Sequence, residues 1–287
     1  AHPCGQSRAM QCQARWAPVW SVASATEALL LTIVTEGPLS ANAAGSCAPT
    51  PGSDTLLPGM NVHLAQYNIA VLRHPMEHPD NRSFSDLLDE TNRLAEASPG
   101  FVWRHGIDSR DVDDTAYDDP HVLVNASVWE SFEQLRDYAF RGWHRDVFKR
   151  RAEWFVASAA TMWWVPAGHL PSLHECVARL AFQHVHGSGP YAFGMNEKHA
   201  QLVVERRPQA DSTDLVACLD GNHVATADLV SDGRVARVSG LSAGESDVDA
   251  WLLDAAKVAA LELGCSAINV GDGSEQPIGR PYHWPPR

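Results

Sequence analysis

The chain has 287 residues, 45% of them hydrophobic, with 22 lysines and arginines against 35 aspartates and glutamates for a formal net charge of −13. That is enough apolar material for one large or two modest folded domains. The acidic balance excludes a nucleic-acid partner and an anionic membrane surface, because both require clustered cations, and the densest basic run is the short Lys149-Arg150-Arg151.

The six cysteines, at positions 4, 12, 47, 176, 218 and 265, form no C-x-x-C pair and no metal-finger spacing. A chain of this size needs no disulfide staples, so they read as reduced thiols of a cytoplasmic protein. The apolar stretch from Val22 to Val34 is broken by Glu27 and is shorter than the about 20 residues a membrane span needs. No charged region leads into it as in a secretory signal, and no membrane partner is expected.

Residues 1–59 carry small residues, Pro, Ser and Cys without a sustained period and close in the loop-like PTPGSDTLLPG. They read as a poorly ordered extension, and Met60, directly ahead of a clean alternating strand, reads as the natural start. From there to residue 195 the order is strand, helix, strand, strand, helix, strand. His63 to Ala70 alternates as a strand. Asp80 to Ala97 has Phe84, Leu87, Leu88, Thr91, Leu94 and Ala95 at helical spacing, a Ser83/Asp86 capping-box start and a Ser98-Pro99-Gly100 stop. Phe101 to His105 is a second strand, and an Asp-rich loop from Asp108 to Asp119 leads to a third, His121 to Glu130. Ser131 with Gln134 caps a helix through Phe140, a further helical piece carries His144 to Phe155, and Met162 to Pro166 is the fourth strand. Ser172 with Glu175 caps one more helix, ending near His184.

Two β-α-β units with helices on one face of an antiparallel sheet make an α+β, ferredoxin-like domain over residues 60–195. Such a sheet leaves its other face bare, and a second copy would cover it, so a homodimer is expected. Residues 198–287 form a smaller α+β unit. Its strands alternate with turns at Asp220-Gly221 and Asp232-Gly233, and a helix from Ser246 to Leu263 stops at Gly264 before the strand CSAINV.

Alternation separates the two faces of the first sheet. Val122, Val124, Ala126 and Val128 share one face and are expected to meet the helices. Asn125, Ser127 and Trp129 share the other face with Leu123, and Gln66 and Asn68 share a parity on the first strand. If that parity faces the barrel interior, these five residues line one polar and aromatic cavity of the kind that binds small molecules. Asn125 contacts a substrate on this reading, or its amide satisfies backbone at a dimer interface. His144, between two helical pieces, is a general base, an axial haem ligand or a satisfied structural histidine. Arg104 holds a carboxylate or phenolate, or pairs with the acidic loop.

A metal site is not expected. His74-x-x-x-His78 is interrupted by Pro75 and followed by Pro79, which removes the helical geometry that makes this spacing useful. His169, His174, His184 and His186 lack an accompanying carboxylate motif.

The segments HLAQYNIA, SPGFVWRHG, LVNASVWESFEQLRDYAF, HRDVFKRRAEWF and MWWVPAGHLPS, in that order, resemble the domain-of-unknown-function 3291 family. The resemblance implies the dimeric α/β-barrel superfamily, whose members include cofactor-independent quinone-forming monooxygenases and haem-binding or haem-degrading proteins. In the monooxygenases an Asn-x-x-x-Trp spacing lies on the corresponding strand, and Asn125 and Trp129 match it. By this resemblance the protein is a homodimeric small-molecule enzyme or binding protein that oxidises an aromatic or polyketide-like substrate with oxygen and no cofactor. Asn125 and Gln66 then stabilise an enolate, Trp129 packs on the ring, and His144 assists proton transfer. Haem binding, and a non-catalytic dimeric ligand-binding or interaction module, are the alternatives. The C-terminal unit more faintly resembles the later half of a GNAT-type N-acetyltransferase. In that family a Gly-rich loop offers backbone N–H groups to the coenzyme pyrophosphate, whereas SGLSAGESDVD lacks the basic-and-glycine run, and Glu245, Asp247 and Asp249 repel phosphate. A structural remnant is expected there.

Overall fold

A computed structural model of the chain describes residues 61–105, 119–241, 247–271 and 273–279, all within the unit Ser53–Arg287. The expected extension at 1–59, the expected start at Met60, most of the acidic loop and residues 242–246, on which an acetyltransferase-like coenzyme site depends, lie outside the described residues.

The first sheet is built from β1 (Val62–Leu72), β2 (Phe101–Arg104), β3 (Val122–Trp129) and β4 (Phe155–Pro166). Their order is β2-β3-β1-β4 with every pair antiparallel, the ferredoxin-like arrangement. Helix α1 (Arg82–Glu96) connects β1 to β2, and α2 (Phe132–Phe140) and α3 (Gly142–Lys149) connect β3 to β4. Helix α4 (Leu173–His186) follows. The Ser131 and Ser172 hydroxyls accept the backbone N–H groups of Gln134 at 3.2 Å and Glu175 at 3.1 Å, so these helices start where the capping signals put them. Gly142, at φ +57, gives the chain the left-handed step that separates α2 from α3.

Two boundaries differ from the sequence reading. A short 3-10 turn occupies Pro79–Asn81, α1 begins at Arg82 without a side-chain cap, and the Ser83 hydroxyl accepts the Trp154 indole N–H at 2.9 Å instead. Trp154 is buried, and its N–H requires an acceptor. The helical piece expected to reach Phe155 ends at Lys149. Phe155 opens a strand of 12 residues whose first half is too mixed in polarity to stand out.

The faces of the sheet are assigned the other way round from the expectation. Ala65, Tyr67, Ile69, Ala126, Val128, Trp163 and Val165 pack on Cys176, Val177 and Leu180 of α4. The crossover helices α1–α3 lie over the opposite parity, which carries Gln66, Asn68, Asn125 and Ser127. The more apolar parity gains most from α4, whose Cys176, Val177 and Leu180 present an apolar surface to it. The bare face on which the expected homodimer rested is therefore covered, over Ala65, Tyr67 and Trp163, by a helix of the same chain.

The second sheet holds β5 (Leu202–Pro208), β6 (Thr213–Leu219), β7 (Asn222–Ser231), β8 (Val235–Ser239), β9 (Ala267–Val270) and β10 (Glu275–Pro277) in the order β10-β9-β8-β7-β6-β5. Only β8 and β9 are parallel, joined across the sheet by α5 (Asp247–Glu262). Leu252, Ala256, Ala259 and Ala260 of α5 close the core over Leu215, Ala227, Leu229 and Ala236. Strand β10, which has no apolar alternation, has no counterpart in the sequence reading. No helix among the described residues is long and apolar enough to cross a membrane.

A buried charged network joins the two sheets. Glu175 and Arg179 of α4 are 6% and 4% exposed. Glu175 accepts the Trp163 indole N–H at 2.8 Å and pairs with His169 at 2.7 Å and with Arg179 at 3.5 Å. Arg179 donates to the Tyr191 carbonyl at 2.8 Å and lies 3.6 Å from the centre of the Tyr191 ring, whose hydroxyl donates to Asp254 of α5 at 3.0 Å. Burial pushes the Glu175 carboxyl up, but the His169 hydrogen bond and the Arg179 charge outweigh it and hold it at about 2, below its ordinary 4.5. A carboxylate lowered by folding contributes stability above its unfolded value and loses it as pH falls through the folded one. The unfolding free energy should therefore drop steadily from pH 4.5 toward pH 2. Glu175→Gln should remove much of that slope and cost about 3–5 kcal/mol at pH 7, because it strands Arg179. Urea unfolding across this range checks both, and a slope identical in the two proteins would contradict the network.

Candidate functional site

Strands β1 and β3 pair so that Asn68 stands opposite Asn125 and Gln66 opposite Ser127. Above them, α1–α3 do not descend fully onto the sheet, and a cavity of about 230 Å³ remains. Its floor is Gln66, Asn68, Asn125, Ser127 and Trp129, Arg104 stands at its β2 side, and His144 reaches it from α3. The structure thus brings all of the residues selected from the sequence to one cavity, located between sheet and helices rather than between two copies of the chain. The rest of the wall is largely apolar, with Phe84, Leu87 and Leu88 of α1 and Val147 and Phe148 of α3.

The polar floor is wired unevenly. The Trp129 indole N–H donates to the Ser127 hydroxyl at 3.0 Å, which donates to the Gln66 carbonyl oxygen at 2.9 Å. This chain fixes Gln66 with its amide nitrogen unused among the described residues. The side-chain oxygens of Asn68 and Asn125 are buried and accept no hydrogen bond from the described residues. Paired buried amides left open in an otherwise apolar cavity are acceptors, or donors after a half turn, for a ligand.

Trp129 is 1% exposed and already stacked on Tyr138, 5.2 Å between ring centres, with Phe101 edge-on at 5.3 Å. It is a fixed wall of the cavity. Tyr138, which the sequence reading does not single out, donates its hydroxyl to the Thr91 carbonyl at 3.0 Å, and burial raises its pKa well above the ordinary phenol value. His144 packs against Tyr138 at 4.7 Å, and its Nδ1 contacts the Ala139 carbonyl at 2.9 Å. A carbonyl only accepts, so Nδ1 carries the proton and Nε2 the lone pair. Burial lowers the His144 pKa below 6.5 against a smaller opposing effect of that hydrogen bond, which keeps the ring neutral near pH 7. Arg104 pairs with Glu96 of α1 at 2.7 Å, a partner that sequence spacing does not reveal.

Residues 63–208 match the domain of unknown function (DUF3291). The chain belongs to the DUF3291 family. No curated protein matches it. Among solved structures it is similar to SnoaB, a cofactor-independent oxygenase from Streptomyces nogalater, at 14% identity over 39% of this chain and 96% of that one, with a TM-score of 0.28. It is also similar to NE2512, a protein of unknown function from Nitrosomonas europaea, at 13% identity over 40% of this chain and 99% of that one, with a TM-score of 0.29. Likeness at this level does not bear on the reaction of this DUF3291 protein.

The wiring separates two kinds of floor residue. Ser127→Ala orphans the buried Trp129 N–H and should cost about 1–3 kcal/mol. Asn125→Leu removes an unpaired buried acceptor and should leave stability unchanged or raise it. Urea midpoints of the two variants check this, and equal losses would show that Asn125 has a structural partner.

Proposed function

We propose that this DUF3291 protein binds a compact, largely apolar aromatic ligand in the cavity over β1 and β3 and, in the most concrete form of the reading, oxidises it with dioxygen. The observation that carries the reading is the convergence of two open amides and a neutral imidazole with a free Nε2 on one apolar cavity. A volume of about 230 Å³ lies below the roughly 300–1,000 Å³ of drug-sized pockets and fits a ligand of one or two rings. The same volume does not fit a tetrapyrrole. The two arginines at the wall among the described residues have protein partners, Arg104 in Glu96 and Arg151 in the Phe148 carbonyl.

In this reading His144 Nε2 takes the proton of a phenolic hydroxyl. The Gln66 amide, and Asn125 with its nitrogen turned inward, donate to the enolate oxygen as charge gathers there. The electron-rich ring carbon meets dioxygen; one oxygen atom stays as a new carbonyl and the other leaves as water, so naphthol would give naphthoquinone. The apolar side chains of Leu87, Leu88 and Val147 at the cavity wall lower the local polarity and strengthen each of these hydrogen bonds. Arg104, Asn68 and Ser127 position the ligand or the residues that do. The buried free thiols Cys176, Cys218 and Cys265 suit a cytoplasmic protein. A homodimer, if formed on this sheet, would use the half-buried end past α4 at Val71, Val122 and Ala157.

Oxygen uptake with naphthol and dihydroxynaphthalene substrates tests the proposal. Asn125→Ala should lower kcat/KM about 100-fold, as loss of an oxyanion donor does. The acid limb of the wild-type profile should lie below pH 6.5, because His144 acts only when neutral. Tight binding without oxygen uptake would favour a non-catalytic ligand-binding module, and uptake unchanged in Asn125→Ala would refute the assignment.

A further inference from the structure

The loop from β1 to α1 reads HPMEHPD, and its two prolines rule out a helix. They do not keep its histidines apart. The backbone N–H of His78 donates to the Pro75 carbonyl at 2.9 Å, and that of Asn81 donates to the His78 carbonyl at 2.9 Å. The Asn81 side chain, 1% exposed, donates to the carbonyls of His74 at 2.7 Å and Pro75 at 2.9 Å. This clamp folds the loop back on itself. It stacks the His74 and His78 rings 4.2 Å apart at 19° and places Asp80 beside both.

We infer that His74, His78 and Asp80 form a binding site for a late first-row divalent cation of the zinc class. One donor atom from each residue lies within 4.8 Å of the other two. His74 Nε2 stands 3.4 Å and His78 Nδ1 3.7 Å from Asp80 Oδ2. Ligands about 2.0–2.1 Å from a tetrahedral zinc ion are about 3.4 Å apart, so both histidine–aspartate pairs already stand near coordination spacing, and rotation of the stacked rings out of parallel brings both lone pairs onto one ion. Two imidazoles with one carboxylate select zinc, cobalt or nickel over magnesium and calcium, which take oxygen ligands. Binding replaces the ring stack and the long 3.3 Å hydrogen bond from the Asp80 N–H to His78 Nδ1. The ligand side chains are 43%, 41% and 68% exposed, which leaves the remaining coordination positions to solvent. None of the three lines the cavity over β1 and β3, so the cation site is separate from the proposed function.

The test uses the untagged full chain stripped with chelator and titrated with Co²⁺, followed by visible absorbance and by bound metal in equilibrium dialysis. The wild type should bind one equivalent more than His74→Ala/His78→Ala, with d–d bands that the doubly substituted protein lacks. Asp80→Asn, which keeps the loop backbone and both histidines, should weaken that equivalent at least about tenfold. It is the deciding comparison if the double substitution abolishes the circular dichroism spectrum. Matching isotherms for wild type and Asp80→Asn, or equal amounts of metal bound by wild type and His74→Ala/His78→Ala, would overturn the inference.

Discussion

Everything at the proposed site depends on the register in which β3 lies against β1. Asn68 faces Asn125 and Gln66 faces Ser127 because the strands are aligned to the residue, and side chains on a strand alternate strictly. A slip of β3 by one residue would bury Asn125 and Ser127 beneath α4 and turn Ala126 and Val128 toward α1–α3. The apolar parity prevents that slip: its residues are almost wholly excluded from solvent against α4, and exchanging them for amides would lose that burial and leave polar groups unpaired. The polar face is held in place by the packing of the face it does not touch.

That division explains how a cavity persists. Close packing is the norm in protein interiors, and a void beside two unpaired amides is costly. Leu64, Trp129, Leu135 and Trp164 fill one end of the interface between sheet and crossover helices, and Leu72, Phe84 and Trp154 fill the other. The residues between these two clusters on β1 and β3 include Gln66, Asn68, Ala70, Asn125 and Ser127, all smaller than the tryptophans at either end. Large aromatic side chains thus act as pillars, with Trp129 pinned by Ser127, Tyr138 and Phe101, and Trp154 pinned by Ser83. The space between the pillars stays open because neither end can collapse into it.

How far the sequence reveals this follows from what alternation encodes. Period two shows that Gln66 and Asn68, or Asn125 and Ser127, share a face, and it does so from four residues without any partner. It does not state which face the helices take, since that depends on α4, an element outside the β-α-β repeat whose apolar stripe competes for the same sheet. Capping signals place α2 and α4 because Ser131 and Ser172 act locally. The Ser83 signal fails because its hydroxyl answers Trp154, 71 positions away. Tyr138, Leu87 and Val147 are invisible as cavity residues for a related reason: a helical side chain aimed at a void has the same spacing as one aimed at a filled core. The prolines around His78 do break the helix, but a tight loop clamped by Asn81 is another route to convergent ligands, and it rests on side-chain hydrogen bonds to backbone six and seven residues away that leave no periodic signal.

The buried pair on α4 has a different kind of consequence. Taking Glu175 and Arg179 out of water costs nearly what their attraction returns, so the pair contributes little net stability as such. Its effect is positional. The two charges sit one turn apart, and each is completed by groups on different elements: Glu175 by Trp163 of β4 and His169, Arg179 by the Tyr191 carbonyl and ring. If α4 rotated or slid by a turn, the apolar contacts with Ala65 and Ile69 would be largely regained by neighbouring residues, but both charges would be left unpaired in the interior. Apolar burial selects α4 for this face, and the charged network permits one seat on it. That seat, reached through Tyr191 and Asp254, also fixes where α5 and the second sheet meet the first. The register of the polar floor and the attachment of the C-terminal sheet are therefore set by the same helix.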